Sequence, residues 1–401
     1  MCFINKDRVS KSFASNRIFN VPLPTLYIVC LLVALAGNKS VYAQSSPSVG
    51  SGVNGLIVGA VQGVPKVFLP NLGFAGDAVY ERTSIPPTDP RYSTTSQQPQ
   101  LRDGQVIANS RIDPFTDAQL SVDLPENGVA NVEEAWLLFN KLPGGVAIRA
   151  GRFKPKFGLL DETDTFQLPM LDRPQALSDY LGDGLSDDGM QLDYVIPMPW
   201  DINLKAYLSI GQGDMLGANQ SSTASALSYL ATLEVAQDVF ETGSLVMGAS
   251  FAQGPSPYGD SETLIDPYFQ LQVAPTQRQI FTWSAEGMFA QRHGTTYASS
   301  RTGFYTFLDY NFALFYHVGF LADWVQAPGP LSQSGTFPDA YPGAPTNGSC
   351  VSLSPNFTWF VSDNTRLRIQ YTHTSAMGVQ RATDAVALQA TFSMGNLKQL
   401  E

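Results

Sequence analysis

A transmembrane antiparallel β-barrel of about 14 to 16 strands, all-β in class, is the fold this chain predicts. Three observations lead there. Segments of about ten residues alternate apolar and polar side chains, the length of a strand that crosses a bilayer at a tilt. Short and long connections alternate from residue 130 to the end, as the turns and loops of a membrane-spanning barrel do. Charged residues make up only 15% of the 401 and glycines number 34, a balance that suits neither a helical bundle nor a disordered chain.

The elements follow in order. Residues 44–52 (QSSPSVGSG) read as a flexible leader, and Val53 to Gln62 as a weak strand. Residues 63–113 are rich in Pro, Gly, Ser and Gln and are expected to form a long loop. Phe115 to Leu124 is a further strand. The frame is set by Glu133 to Gly158, where Ala135–Lys141 and Val146–Lys154 flank Pro143-Gly144-Gly145. Proline fixes φ and glycine accepts positive φ, so these runs form a tight hairpin.

Beyond it the alternation is clean. Ile202, Leu204, Ala206, Leu208 and Ile210 share one face, with Asn203, Lys205, Tyr207 and Ser209 on the other. Leu227–Ala236, Ile280–Ala290 and Arg366–Thr372 repeat the pattern. Short connections fall at 142–145, 197–200, 237–243, 274–278, near Asn311 and at Asp363-Asn364. Long ones fall at 155–188, 211–226, 254–264, 291–302, 326–349 and 375–383. About 13 strands lie beyond residue 130, and closure to an even number needs one or three more. Phe304, Tyr305, Phe307, Tyr310, Phe312, Phe315, Tyr316, Phe320 and Trp324 crowd one hairpin, as an interfacial aromatic girdle requires.

Residues 1–43 are expected to be a secretory signal: Lys6, Arg8, Lys11 and Arg17 precede the apolar Leu26–Ala36, and Val41-Tyr42-Ala43 offers a cleavage site. The mature chain, 44–401, is then the barrel. Cleavage removes Cys2 and Cys30 and leaves Cys350, so no disulfide within the mature chain is expected. It also removes a net +4 from the formal −11, leaving −15, a charge that argues against nucleic acid as a partner. The expected surroundings are outer-membrane lipid outside and small hydrophilic solutes or ions within.

Signals of catalysis are thin. His293, His317 and His373 share no metal-ligand spacing, and no HExxH, GxSxG or phosphate loop occurs, so neither enzyme activity nor a cofactor or metal is expected. The candidates concern passage instead. Arg149, Arg152, Lys154 and Lys156 form one basic group, and Arg366 and Arg368 an inward pair. Rings of such cations select anions in pores, unless lumen acids such as Glu234 and Glu286 pair with them. Asp172 and Arg173 sit in the longest well-defined loop, with Asp187 and Asp188 at its end. That loop is pinned by an ion pair, or folds into the lumen as a constriction.

The stretches EEAWLLFNKLPGGVAIRAGRFKPKFGLL (133–160), LDRP (171–174), LSDDGMQLDYVIPMPW (185–200), TRLRIQYTHTS (365–375) and DAVALQATFSMG (384–395) resemble Gram-negative outer-membrane porins of the phosphate-selective O and P type, and porin-like barrels related to them. The resemblance implies an outer-membrane, water-filled channel for small solutes, often a homotrimer, with Arg149, Arg152 and Lys154 on a lumen-lining strand. Two features depart from it: DETDTFQLPM carries no His, and NLKQLE follows Phe392 at the end. The expected function is passive diffusion of hydrophilic solutes. A plugged barrel that serves in adhesion or anchoring, and a soluble carbohydrate-binding β-sandwich, are the alternatives.

Overall fold

The computed structural model describes residues 70–84, 98–124, 128–181, 184–198, 202–213, 227–255, 261–293, 299–326, 349–377 and 382–395. The expected signal at 1–43, the leader and the weak strand at 53–62 lie outside them.

Sixteen strands close into one antiparallel barrel. They are β1 (Asn71–Thr83), β2 (Gln100–Asp113), β3 (Thr116–Asp123), β4 (Asn131–Leu142), β5 (Val146–Phe153), β6 (Asp187–Ile196), β7 (Ile202–Gly211) and β8 (Ser228–Val239). The second half continues with β9 (Gly243–Pro255), β10 (Ser261–Thr276), β11 (Gln279–His293), β12 (Ser299–Asn311), β13 (Tyr316–Gln326), β14 (Ser349–Ser362), β15 (Thr365–Met377) and β16 (Thr383–Gly395). Each strand pairs with its sequence neighbour, and β1 pairs with β16 from Gly73↔Gly395 to Thr83↔Ala385. No sheet edge is left unpaired, which is what a sheet in lipid requires. A closed ring also excludes the two-layer sandwich. Cys350, the cysteine expected to remain once Cys2 and Cys30 are cleaved away, is buried on β14.

The faces follow from the pleat. On β15, Leu367, Ile369 and Tyr371 are exposed while Arg366, Arg368 and Gln370 are buried inside. On β16, Val386, Leu388 and Met394 face out and Gln389, Thr391 and Ser393 face in. An apolar belt outside and polar residues inside is the reverse of a water-soluble β-domain.

Two expectations fail here. Within the long loop expected over 63–113, Asn71–Thr83 and Gln100–Asp113 are instead the strands β1 and β2. Their inward positions carry Asp77, Glu81, Asp103 and Gln105, and glycines recur, so local propensity reads as loop while pairing with β16 and β3 imposes strand. The aromatic girdle is also smaller than expected. Phe304, Tyr310, Phe312, Phe315, Tyr316 and Phe320 are exposed, whereas Tyr305 (0%) and Phe307 (1%) point inward and are fully buried.

Candidate functional site: the lumen and its inward loop

The buried aromatics inside the barrel have a partner. Residues 154–181 and 184–186, between β5 and β6, turn into the lumen and carry a 3₁₀ turn (Thr165–Gln167) and a short helix α1 (Gln175–Leu181). Phe157, Leu168, Met170, Leu177, Leu181 and Leu185 of this loop form one buried cluster with inward residues of β8–β13, among them Leu230, Leu264, Met288, Tyr305, Phe307 and Leu321. Apolar area taken from water on both sides is the driving force for folding the loop inward. α1 lies so close to β12 that a Cβ at Gly303 would sit 3.0 Å from Ala176.

Polar contacts fix the orientation. Thr232 Oγ1 donates to the Lys156 carbonyl (2.7 Å), and Gly158 N–H donates to Ser250 Oγ (2.9 Å). Leu159 N–H donates to Glu286 Oε1 (3.0 Å), whose other oxygen accepts from the Tyr305 hydroxyl (2.8 Å). Asp323 on β13 accepts the N–H groups of Gln175 and Ala176, capping α1 from the wall, where a carboxylate also meets the positive end of the helix. Leu171 N–H donates to Gln370 Oε1 (3.1 Å). Arg102 on β2 donates to the Leu171 carbonyl (2.9 Å) and pairs with Asp172 (2.6 Å). Both readings of Asp172 hold together: the loop is inside, and an ion pair pins it there.

The candidate cations separate into three settings. Arg149 faces the lumen. Its Nη1 is 3.3 Å from Glu162 of the loop, and its guanidinium stacks over Trp136 at 5.2 Å. Lys156 Nζ lies 3.4 Å from Glu234 and over the Tyr268 ring, and Lys154 Nζ reaches Glu133 (2.5 Å) and Asp164 (2.7 Å). Burial alone would lower the Lys154 pKa, but Asp164 and Glu133 raise it, and its ammonium is held charged. Arg152 is on the other face. It is register-paired with Ala135 and Asp188, each two residues from lipid-facing Leu137 and Met190 and so on their face, and lies 3.8 Å from Asp188. Lumen lining by Arg152, expected from the sequence, is therefore corrected: successive residues of a strand alternate faces, and Arg152 is three removed from Arg149.

Arg366 and Arg368 do point inward, but under the loop. Arg366 donates to the carbonyl of Phe166, and Arg368 to those of Leu168 (3.1 Å) and Met170. They are 0% and 4% exposed, so they meet the loop and not the solute. Arg173 braces the loop from within, donating to the carbonyls of Leu160 (2.7 Å) and Thr163 (3.0 Å). Beside it Asp161 accepts from Leu185 N–H (2.8 Å); burial pushes its carboxyl up to about 7, against the pull of Arg173 and that hydrogen bond. Asp187 belongs to the wall, where it is buried and accepts from Ser228 Oγ (2.7 Å) and Gln212 N–H (3.2 Å).

One arc of the wall is less covered. On β4–β7 the inward Trp136, Arg149, Asp193, Lys205 and Tyr207 are half-buried, and Glu162 faces them from the loop. Inward residues of β9–β16 at mid-height are almost wholly buried, as at Ser250, Asp266, Glu286, Asp323, Thr358 and Gln389. Among the described residues no group of three His, Cys, Asp or Glu side chains could hold a metal ion. His317 and His373 each bond a nearby aspartate, Asp309 and Asp384, at 2.8 Å.

No family model matches the chain. An uncharacterized protein of Aquifex aeolicus (strain VF5) is 26% identical over 178 residues, 42% of this chain and 38% of its own length, so the match spans well under half of that relative. Among solved structures, the outer membrane channel DcaP of Acinetobacter baumannii superposes with a TM-score of 0.52 at 15% identity, covering 81% of this chain and 97% of that one. OprB of Pseudomonas putida gives 0.53 at 10%, covering 81% and 94%. The anion-selective porin of Comamonas acidovorans gives 0.53 at 8%, covering 81% and 99%. At these identities the likeness is one of fold, and the fold is that of outer-membrane porin-like barrels.

Proposed function

We propose that the chain is a channel of the outer membrane through which small hydrophilic solutes and ions pass by diffusion. The observation that carries this reading is the inversion of the barrel: apolar residues outside, polar residues inside, and a half-buried inner arc on β4–β7 that the loop covers less, opposite Glu162. The inward loop is the constriction, because it occupies the lumen along β8–β16 and leaves that arc. Planar-bilayer recording on the purified protein tests it. Stable open steps are expected, and insertion without conductance would turn the reading to a plugged, anchoring barrel. Deleting residues 160–184 should raise conductance; an unchanged step size would remove the loop from the role of constriction.

Ion preference is weak in this reading. The arc sets Arg149 and Lys205 against Asp193 and Glu162, whereas a phosphate-selective passage needs exposed cations in excess. Arg366 and Arg368, which would supply that excess, are beneath the loop. Arg149→Ala should move the reversal potential in a salt gradient toward cation preference, and no movement would take Arg149 out of the passage. The homotrimer implied by the family resemblance belongs to this reading, and cross-linking in detergent that yields only monomers would remove it.

A further inference from the structure

The short-turn end of β10–β13 carries a cleft that lies apart from the passage. Its volume is about 490 Å³, and it sits between two turns: Thr276, Arg278 and Gln279 line it from β10–β11, and Phe312, Leu314 and Phe315 from β12–β13. Arg278 is exposed and is the one charged side chain lining the cleft among the described residues. The β12–β13 side is apolar, and its three large side chains are all exposed. Leu314 has φ +66°, a left-handed conformation that a bulky residue rarely adopts. Both ends of that turn are anchored: Phe312 N–H donates to the Tyr316 carbonyl (3.1 Å), and Phe360 N–H to the Phe315 carbonyl (2.8 Å).

The cleft runs into the outer aromatic girdle. Phe312 stacks on Tyr310 (6.3 Å) and Tyr316 (5.8 Å), and Tyr316 on Phe357 (6.1 Å) and Trp359 (6.5 Å), all exposed on the outer face. Such girdles sit at headgroup depth, and short turns face the periplasm in outer-membrane barrels. A cation at that depth, beside an apolar wall continuous with the belt, matches an anionic head joined to hydrocarbon chains. Among the described residues no carboxylate lines the cleft to receive an ammonium head.

We infer that this cleft binds one anionic glycerophospholipid of the periplasmic leaflet. The Arg278 guanidinium donates to its phosphate, a pairing for which the planar fork of arginine is suited. The acyl chains lie along Phe312, Tyr316 and Phe357. The site is on the outer wall, so the inference stands whether or not the barrel conducts.

Native mass spectrometry of the detergent-solubilised barrel, titrated with phosphatidylglycerol, tests it. One tightly retained lipid per chain is expected, held more strongly than phosphatidylethanolamine. Arg278→Gln should weaken that binding about tenfold, the loss of one charge-assisted contact. Arg111→Gln, at an exposed arginine near the β2–β3 turn, should leave it unchanged. Equal binding by the wild type and Arg278→Gln, or an equal loss in both variants, would overturn the inference. Cryo-electron microscopy of the wild type in nanodiscs of phosphatidylglycerol and phosphatidylethanolamine decides the matter without a variant. Head-group density at Arg278 is expected. An empty cleft with its aromatics ordered would overturn the inference and leave this face to a soluble partner.

Discussion

At the scale of single residues, position in the pleat separates neighbours that look alike in the sequence. Arg149 and Arg152 read as one basic group, yet one stacks on Trp136 inside and the other pairs with Asp188 outside. Strict counting by twos would have told them apart. What the sequence cannot reveal is which inward residues a loop covers, since that depends on contacts such as Arg368 to Leu168, 200 positions apart. Asp161 adds a pH dependence at this scale. Its carboxyl is raised to about 7 chiefly by desolvation, above the value near 4 of an exposed aspartate. The docked loop therefore binds this proton more tightly than the undocked one. Docking is favoured fully below about pH 4, and that contribution is lost as pH rises through about 7. Protease protection of the loop should fall over that interval, and Asp161→Asn should flatten the change while keeping an acceptor for Leu185 N–H. An unaltered profile in the variant would assign the dependence to another group.

At the scale of elements, the inward loop rests on one backbone conformation and one apolar seam. Gly158 has φ +59°, and a Cβ there would lie 1.8 Å from Glu286 Oε1, the oxygen that receives Leu159 N–H. Gly158→Ala is therefore expected to displace the turn and raise channel conductance without unfolding the barrel; wild-type conductance would show that the turn adapts. Leu177→Ala in the seam should cost about 2–5 kcal/mol of docking, read as faster proteolysis between residues 155 and 186. The seam was hidden in the sequence because inward Leu230, Leu264 and Phe307 interrupt polar faces only here and there. β1 and β2 were hidden for the opposite reason, polar inward residues in a glycine-containing stretch.

For the whole molecule, the alternation of faces and of connection lengths was enough to place β4–β16 and most of their turns, because both are imposed by the bilayer and not by tertiary detail. The number and closure of strands at the N-terminal side were not, since they depend on pairing between β1 and β16, more than 300 residues apart. The outer belt makes its own prediction. Leu208 on β7 is 54% exposed and mid-strand, so Leu208→Arg should destabilise the folded barrel in lipid by about 2–4 kcal/mol in urea titration. A negligible change would mean that this face does not meet hydrocarbon.

The off-centre seat of the loop partitions the inner wall into two territories. Substitutions inside β9–β16 should register as changes in melting and proteolysis, while those inside β4–β7 should register as changes in which solutes get through and how fast. Drift in sequence can then retune permeation on the narrow sector without loosening the brace on the broad one.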